Sequence, residues 1–195
     1  MLPKPHQKIK NPPPQPIPPH QLHNPLSKKV KKKANLLLQT LKSKLIEKMK
    51  TKGTAYAFEF CSLNAQQLTA DVQKKLGKGF LVKRTSFQYR NPKNAPDPNE
   101  QKALTYFQNQ LQQTGKLPPY YLQKIKQNGT TLWRYYKPLK IGGACLNCHG
   151  EITQMNPQIL TLLRQKYPRD KATGYKIGDF RGVIRIQFPP QSTTK

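Results

Sequence analysis

The first part of the chain carries two blocks in which small or apolar side chains return every three or four residues. The first block lies in residues 34–50, and the second follows Gly53 and ends near Gly77 or Gly79. Their apolar positions are Leu37, Leu38, Leu41, Leu45 and Met49, and then Ala57, Cys61, Ala65, Leu68 and Val72. This spacing places each set on one face of a helix, so the pattern predicts two amphipathic helices separated by Gly53.

The rest of the chain alternates between extended and helical patterns. The predicted elements are an extended segment at 80–89, a helix at 99–111, a strand at 132–139, a helix at 157–167, and two short strands at 174–179 and 181–188. In the last strand Ile184, Ile186 and Phe188 alternate with polar residues, which is typical of a strand with one buried face. Helices followed by an antiparallel sheet with helical insertions predict an α+β fold.

Composition divides the chain into a tail and a domain. Nine of the 19 prolines lie in residues 1–25, and five lysines follow between Lys28 and Lys33. Such a segment has too few large apolar side chains to offset the entropy lost on ordering. We therefore expect a disordered Pro/Lys-rich tail at 1–33, one folded domain at 34–190 and a short C-terminal tail at 191–195.

The charge is strongly positive, with a formal net value of +27. Such a charge attracts polyanions of any kind, and the run at Lys28 to Lys33 makes a polyanion-binding module one candidate function. Charge runs are usually just solvated, so we expect no specific nucleic acid partner. No apolar run approaches the roughly 18 residues of a membrane span. No export signal is visible, because Lys42 and Lys44 interrupt the apolar stretch at 34–41.

The residues Cys145-Leu146-Asn147-Cys148-His149 form the pattern for covalent attachment of a c-type haem. Two thiols three positions apart can add to the two vinyl groups of one porphyrin, and the adjacent His149 can bind the iron. With three Cys and four His in the chain, chance assembly of this pattern is on the order of one in a thousand. The sequence therefore predicts one haem c, attached at Cys145 and Cys148.

Other sites compatible with these residues are less favoured. A zinc site would use Cys145, Cys148, His149 and Cys61, but the adjacent Cys and His strain tetrahedral geometry. A thioredoxin-like pair needs a βαβ context that the predicted elements do not offer. A Cys145–Cys148 disulfide would leave His149 without a role.

Cys61 has two interpretations that the residues alone leave open. A lone Cys on the apolar face of a helix commonly acts as a small buried hydrophobe. Its neighbours Ala57 and Ala65 would also let a flat macrocycle approach, so that the thiolate binds iron opposite His149, favours ferric iron and lowers the reduction potential. Other axial candidates are Met49 and Met155, and the tail residues His6, His20 and His23 are poorer ones.

Several segments of the chain resemble the same known family. They are Cys61 on an early helix, residues 84–97, 136–139 and 145–150, and the long segment at 167–182. Together they resemble a family of bacterial and cyanobacterial PAS-like domains with one c-type haem, described as redox sensors. The resemblance covers residues 34–188 and implies a PAS-like fold in which Cys145 and Cys148 attach the haem, His149 ligates the iron and Cys61 is its sixth ligand.

The resemblance also implies a function. It favours a redox or small-ligand sensor for CO or NO that signals to a separate protein partner, and an electron-transfer cytochrome is the alternative. An iron with both axial positions filled leaves no site for substrate, so we do not expect an enzyme. Haem c attachment normally takes place outside the cytoplasm, so we expect a periplasmic location. Arg84, Arg90 and Arg181 lie in the resembling segments and are candidate partners for the haem propionates, with surface solvation as the alternative.

Overall fold

The computed structural model describes the backbone of residues 25–189 and the side chains of residues 28–189. The proline-rich part of the predicted tail, its three histidines and the C-terminal tail at 191–195 lie outside the described residues. Among the helices of residues 25–189, none is long and apolar enough to cross a membrane.

A long helical hairpin opens the fold. Helix α1 spans Pro25–Leu76, with a break at Gly53, whose φ of 83° and ψ of 170° are not helical. The Lys29 ammonium donates to the carbonyl oxygen of Leu76 at 3.2 Å. An unbroken helix would hold these residues roughly 70 Å apart, so the chain reverses at Gly53. The two helices predicted on either side of Gly53 are confirmed. They are residues 25–52 and residues 54–76, which lie side by side, and we call the second the returning segment.

The beginning of α1 corrects one predicted boundary. Residues 28–33 were assigned to the disordered tail, but they are helical, and Val30 is fully buried. Val30 packs with Ala34 and Leu37 against Val72 and Leu76 of the returning segment. Lysine is a good helix former, so one buried apolar residue is enough to join this basic stretch to the folded part.

Four antiparallel strands form one sheet. They are β1 (Leu81–Thr85), β2 (Tyr121–Gln127), β3 (Thr130–Lys140) and β4 (Phe180–Phe188), in the order β1-β4-β3-β2. The predicted α+β class with an antiparallel sheet is therefore confirmed. Strand β2 was not predicted. The strand predicted at 174–179 is wrong, because Gly174 and Gly178 turn the chain there with φ values of 76° and 96°.

Both faces of the sheet are covered. Ile184, Ile186 and Phe188 pack under the helical hairpin, as their alternation predicts. On the other face lies α2 (Pro98–Thr114), where Leu104 and Phe107 pack on aromatic residues of β2 and β3. Asp97 and Glu100 form a reciprocal capping box at the start of α2, and Gly115 ends it in the left-handed conformation.

Residues 141–179 cross from the end of β3 to the start of β4 outside the sheet. This crossover contains the single-turn helix α3 (Leu146–His149) and the helix α4 (Pro157–Lys166), which Asn156 caps. Met155, Ile159 and Leu163 pack on Phe58, so α4 lies against the returning segment of α1. Where β4 begins, a Cβ at Gly182, whose φ is 141°, would collide with the Thr85 carbonyl oxygen. Gly182 thereby lets β4 approach the end of β1.

Candidate functional site

The predicted haem-attachment motif, residues 145–149, lies at the start of the crossover, between two small apolar clusters. Cys145 ends a short 3-10 turn and packs with Ile141, Ala172 and Tyr175. Cys148 lies on α3 and packs against the cluster that joins α4 to α1. Both are free, partly buried thiols. The motif therefore has one thiol in each cluster.

The segment predicted as a strand at 174–179 instead holds the motif in place. The backbone N–H of Gly174 donates to Gly150 O at 2.8 Å, and that of Tyr175 donates to His149 O at 2.9 Å. The Tyr175 ring meets the His149 ring edge to face, with ring centres 6.2 Å apart. Backbone and ring contacts thus fix the last residues of the motif from one side.

His149 is oriented by a short hydrogen bond to the backbone. Its Nδ1 lies 2.6 Å from the carbonyl oxygen of Ala172. Because a carbonyl oxygen only accepts, Nδ1 carries the proton and the lone pair is left on Nε2. Burial lowers the pKa of His149 well below its usual value, and the Arg181 and Arg90 charges lower it further. A neutral imidazole with a fixed tautomer is the form that binds metals.

Cys61 lies on the returning segment of α1 and comes close to the motif. Its charge is close enough to that of Cys148 to raise the pKa of the Cys148 thiol. Burial is the larger cause and raises that pKa to about 11, with Arg90 opposing it. Burial also raises the pKa of Cys61, and Arg84 opposes it. Cys61 lies on the same face of α1 as Phe58, three residues earlier, and Phe58 belongs to the cluster against which Cys148 packs.

The three candidate arginines gather around this site but differ in their partners. Arg90 donates from Nε and Nη2 to the two carboxylate oxygens of Asp170, both at 3.1 Å. Its Nη2 also donates to the carbonyl oxygen of Cys148 at 2.6 Å. These contacts within the chain favour a positioning role for Arg90 over the predicted role of propionate partner.

Arg84 and Arg181 differ from Arg90 because neither has a carboxylate partner within residues 25–189. Arg84 Nε is buried and has no hydrogen-bond partner within residues 25–189. Burial lowers the pKa of Arg84, and the neighbouring Arg181 lowers it further. Arg181 donates to Gln88 O at 2.9 Å and lies over the Tyr175 ring. A buried, unpaired cation is unfavourable, so this corner of the site is suited to a carboxylate from a bound group.

The other candidate iron ligands in the described part of the chain are Met155 and Met49. Met155 is buried in the same cluster as Cys148, and Met49 is partly buried on α1. No group of three or more His, Cys, Asp or Glu side chains within the described range is arranged to hold a metal ion. A cavity of about 470 Å³ lies between α2 and residues 86–88, and Tyr175 is part of its lining. Neither motif cysteine lines this cavity.

Three residues of the site were not assigned a role from the sequence. They are Asp170, Ala172 and Tyr175, which all lie in the segment 167–182 that carries the resemblance. Ala172 contributes through its backbone oxygen, which no sequence pattern marks. Asp170 and Tyr175 are chemically distinctive, but their partners Arg90 and His149 are distant in sequence.

Comparisons with known proteins show which family and which fold the chain has. The family model described as Tll0287-like, Tll0287, matches residues 22–189. The crystal structure of the cyanobacterial heme-protein Tll0287 is similar with a TM-score of 0.62 and 23% sequence identity. That match covers 88% of this chain and 99% of the solved chain, and at this identity it shows a shared fold. A comparison with curated proteins found no significant match.

Proposed function

The chain belongs to the Tll0287-like family, and on that premise we propose that it binds one haem c covalently through Cys145 and Cys148. The solved protein of similar fold is described as a heme-protein. The observation that carries the proposal is the setting of His149, whose neutral ring is partly buried, fixed by Ala172 O and next to the two free thiols of the attachment motif. This is the environment that an axial histidine requires.

Each residue of the site has a role in this proposal. Cys145 and Cys148 would hold the haem by addition of their S–H bonds across its two vinyl groups, which would form two thioethers and need no oxidant. His149 Nε2 and the Cys61 thiolate would hold the iron. Arg84 and Arg181 pair with propionates, which gives the buried Arg84 Nε an acceptor. When bound, the haem supplies a one-electron couple between ferric and ferrous iron.

A redox or CO/NO sensor is the function we favour within haem chemistry. Cys61 lies on the returning segment of the hairpin, so loss of its bond on reduction would release a long helical element that packs on the sheet. The signal would then pass to a separate protein partner. Because His149 and Cys61 would both hold the iron and leave no position for a substrate, we propose no enzymatic activity. The PAS-like classification and a periplasmic location belong to the same proposal.

Electron transfer is the second candidate, and the basic surface favours it. Lys28, Lys29, Lys31 and Lys32 are exposed along the first turns of α1, in a chain of net charge +27. Such a surface suits an acidic redox partner. Redox cycling without a change of axial ligand would support this candidate. A polyanion-binding module is the remoter alternative, and it predicts a steep salt dependence of DNA binding in protein that carries no haem.

Covalent attachment is the prediction that tests the proposal. The full chain, exported to the periplasm of a host that attaches haem c, is expected to carry one haem that survives denaturation and acid extraction. Mass spectrometry should show the added mass of one haem. The double variant Cys145→Ala/Cys148→Ala is expected to lose it, because no thiol remains to form a thioether at the motif.

Cys61→Ala is the matched control for this experiment. It removes a cysteine of the same site that is outside the motif, so covalent haem is expected to remain. Wild-type protein without haem, made in a host that loads an unrelated cytochrome c normally, would contradict the proposal.

A further inference from the structure

Arg90 and Asp170 form a salt bridge that ties together the two sides of the site. They are 80 positions apart in the sequence, and their side chains are only 13% and 4% exposed. Arg90 lies in the loop after β1, while Asp170 lies in the crossover after α4. The guanidinium also lies over the Phe58 ring of α1, 5.4 Å from its centre. A pair held this tightly has little freedom to reorient.

This salt bridge holds the backbone of one residue from both ends. Asp170 Oδ1 accepts from the N–H of Ala172 at 3.1 Å. Arg90 Nη2 donates to the carbonyl oxygen of Ala172 at 3.3 Å. That oxygen is also the acceptor for Nδ1–H of His149. The same Arg90 nitrogen donates to the carbonyl oxygen of Cys148, the residue before His149. One guanidinium therefore contacts the hydrogen-bond acceptor of His149 and the peptide group that leads into it.

We propose that Arg90 and Asp170 are positioning residues that fix the tautomer of His149 and tune the reduction potential of the iron it binds. The tuning rests on the proposed function, because it takes His149 as an iron ligand. The fixing of the tautomer does not, because it concerns only the hydrogen bond between His149 and Ala172. The two parts therefore have separate readouts.

The physical argument gives the direction of the effect. A carbonyl oxygen that already accepts from a guanidinium has less electron density to share, so it is a weaker acceptor for Nδ1–H. With Arg90 present, the His149 imidazole therefore has less anionic character and donates less electron density to the iron. Ferric iron is then stabilised less than it would be without Arg90. Removing Arg90 alone leaves Asp170 holding the N–H of Ala172, so the hydrogen bond from His149 should strengthen and the reduction potential should fall. Removing both partners should release Ala172 and with it the tautomer of His149.

Charge alone could also shift a potential, so the variants separate charge from contact. Arg90→Gln with Asp170→Asn removes both members of the pair and leaves their summed charge unchanged. Arg90→Lys keeps the charge but cannot reach Asp170 and two carbonyl oxygens with one planar fork. Arg169→Gln removes a positive charge at an exposed neighbouring position and is the matched control.

The first readout uses the full chain without haem. Nitrogen-15 NMR of the imidazoles, with the His149 signals assigned by their loss in His149→Ala, should show Nδ1–H in the wild type. The double variant should show a mixture of the two tautomers, while Arg169→Gln should match the wild type. Circular dichroism spectra would establish that each protein is folded. A folded double variant that keeps the wild-type tautomer would overturn the proposal.

The second readout is the midpoint potential of the haem-loaded chain. Arg90→Gln is expected to favour ferric iron by about tenfold, which is about 59 mV for a one-electron couple. Arg90→Lys should fall between Arg90→Gln and the wild type. A potential in Arg90→Gln that differs no more than that of Arg169→Gln would overturn the tuning. If the wild type acquires no haem, the proposed function fails, and the NMR readout still decides whether the salt bridge fixes His149.

Discussion

Replacing Arg84 by methionine is expected to change stability in opposite directions in the haem-free and haem-loaded protein. Without haem, Arg84 Nε is buried with no hydrogen-bond partner in the described part of the chain. An unpaired buried polar group costs about 1–3 kcal/mol. Methionine fills a similar volume with a flexible apolar chain, so the haem-free variant should gain free energy of unfolding of that order.

With haem bound, the same substitution should remove a favourable contact. The proposed propionate partner gives Arg84 a charge-assisted hydrogen bond, which contributes about 1.5–3 kcal/mol. The loaded variant should therefore lose about that much free energy of unfolding. The measurement is urea unfolding of both proteins in both states, and Arg164→Met, an exposed arginine on α4, is the control. A change of the same sign in the two states would contradict the assignment of Arg84 to a propionate.

Replacing Glu100 by alanine is expected to be the most destabilising single change that we predict. Glu100 is fully buried at the start of α2. Its carboxylate accepts from Lys83 Nζ at 2.7 Å and from Arg185 Nε at 3.0 Å. Removing one partner of a buried ionic group leaves the others uncompensated, which costs about 3–5 kcal/mol. The loss should appear as a lower free energy of unfolding in urea.

The destabilisation by Glu100→Ala should depend on the burial of Glu100, so the same substitution at an exposed glutamate is the control. Glu47 pairs with Lys48 at 2.7 Å, but both groups lie at the surface of α1. Glu47→Ala should leave the free energy of unfolding nearly unchanged, because exposed ion pairs contribute little. A Glu100→Ala variant as stable as Glu47→Ala would show that the ion pairs of Glu100 do not support the junction of α2 with β1 and β4.

The helices were predictable because the residues that specify each helix lie close together in the sequence. Gly53 interrupts two runs of helical spacing, and Asn156-Pro157 is a start signal that α4 uses. The tail boundary failed because a single apolar residue, Val30, decides it. Its burial depends on Val72 and Leu76, which lie more than 40 positions further along the chain.

The missed strand β2 shows where a local signal was available. Its sequence does not alternate cleanly between apolar and polar residues, because the polar Gln123 lies on the buried face with Tyr121 and Ile125 and is bonded to the Tyr136 hydroxyl. The Asn128-Gly129 pair that follows, however, adopts φ values of 49° and 75°. Asn-Gly between two extended segments favours a tight hairpin turn. That dipeptide would have predicted β2 opposite β3.

The members of the candidate site could be proposed from the sequence, but the different contacts of its arginines could not. The spacing of Cys145, Cys148 and His149 predicts the attachment motif, and the resemblance adds Cys61 to the candidate site. Arg84 and Arg90 looked equivalent because both are arginines in one segment. Only the fold places Arg90 against Asp170 and leaves Arg84 Nε without an acceptor in the described part of the chain.

The ferric absorption spectrum of the loaded protein, with and without the Cys61 thiol, tests the central claim most directly. The claim is that Cys61 and His149 bind the same iron from opposite sides. Cys61→Ala should keep covalent haem, shift the ferric spectrum and raise the reduction potential, because a thiolate stabilises ferric iron. Met155→Leu and Met49→Leu, which remove the other candidate sulfur ligands, should leave the spectrum unchanged. An unchanged spectrum in Cys61→Ala would contradict the claim.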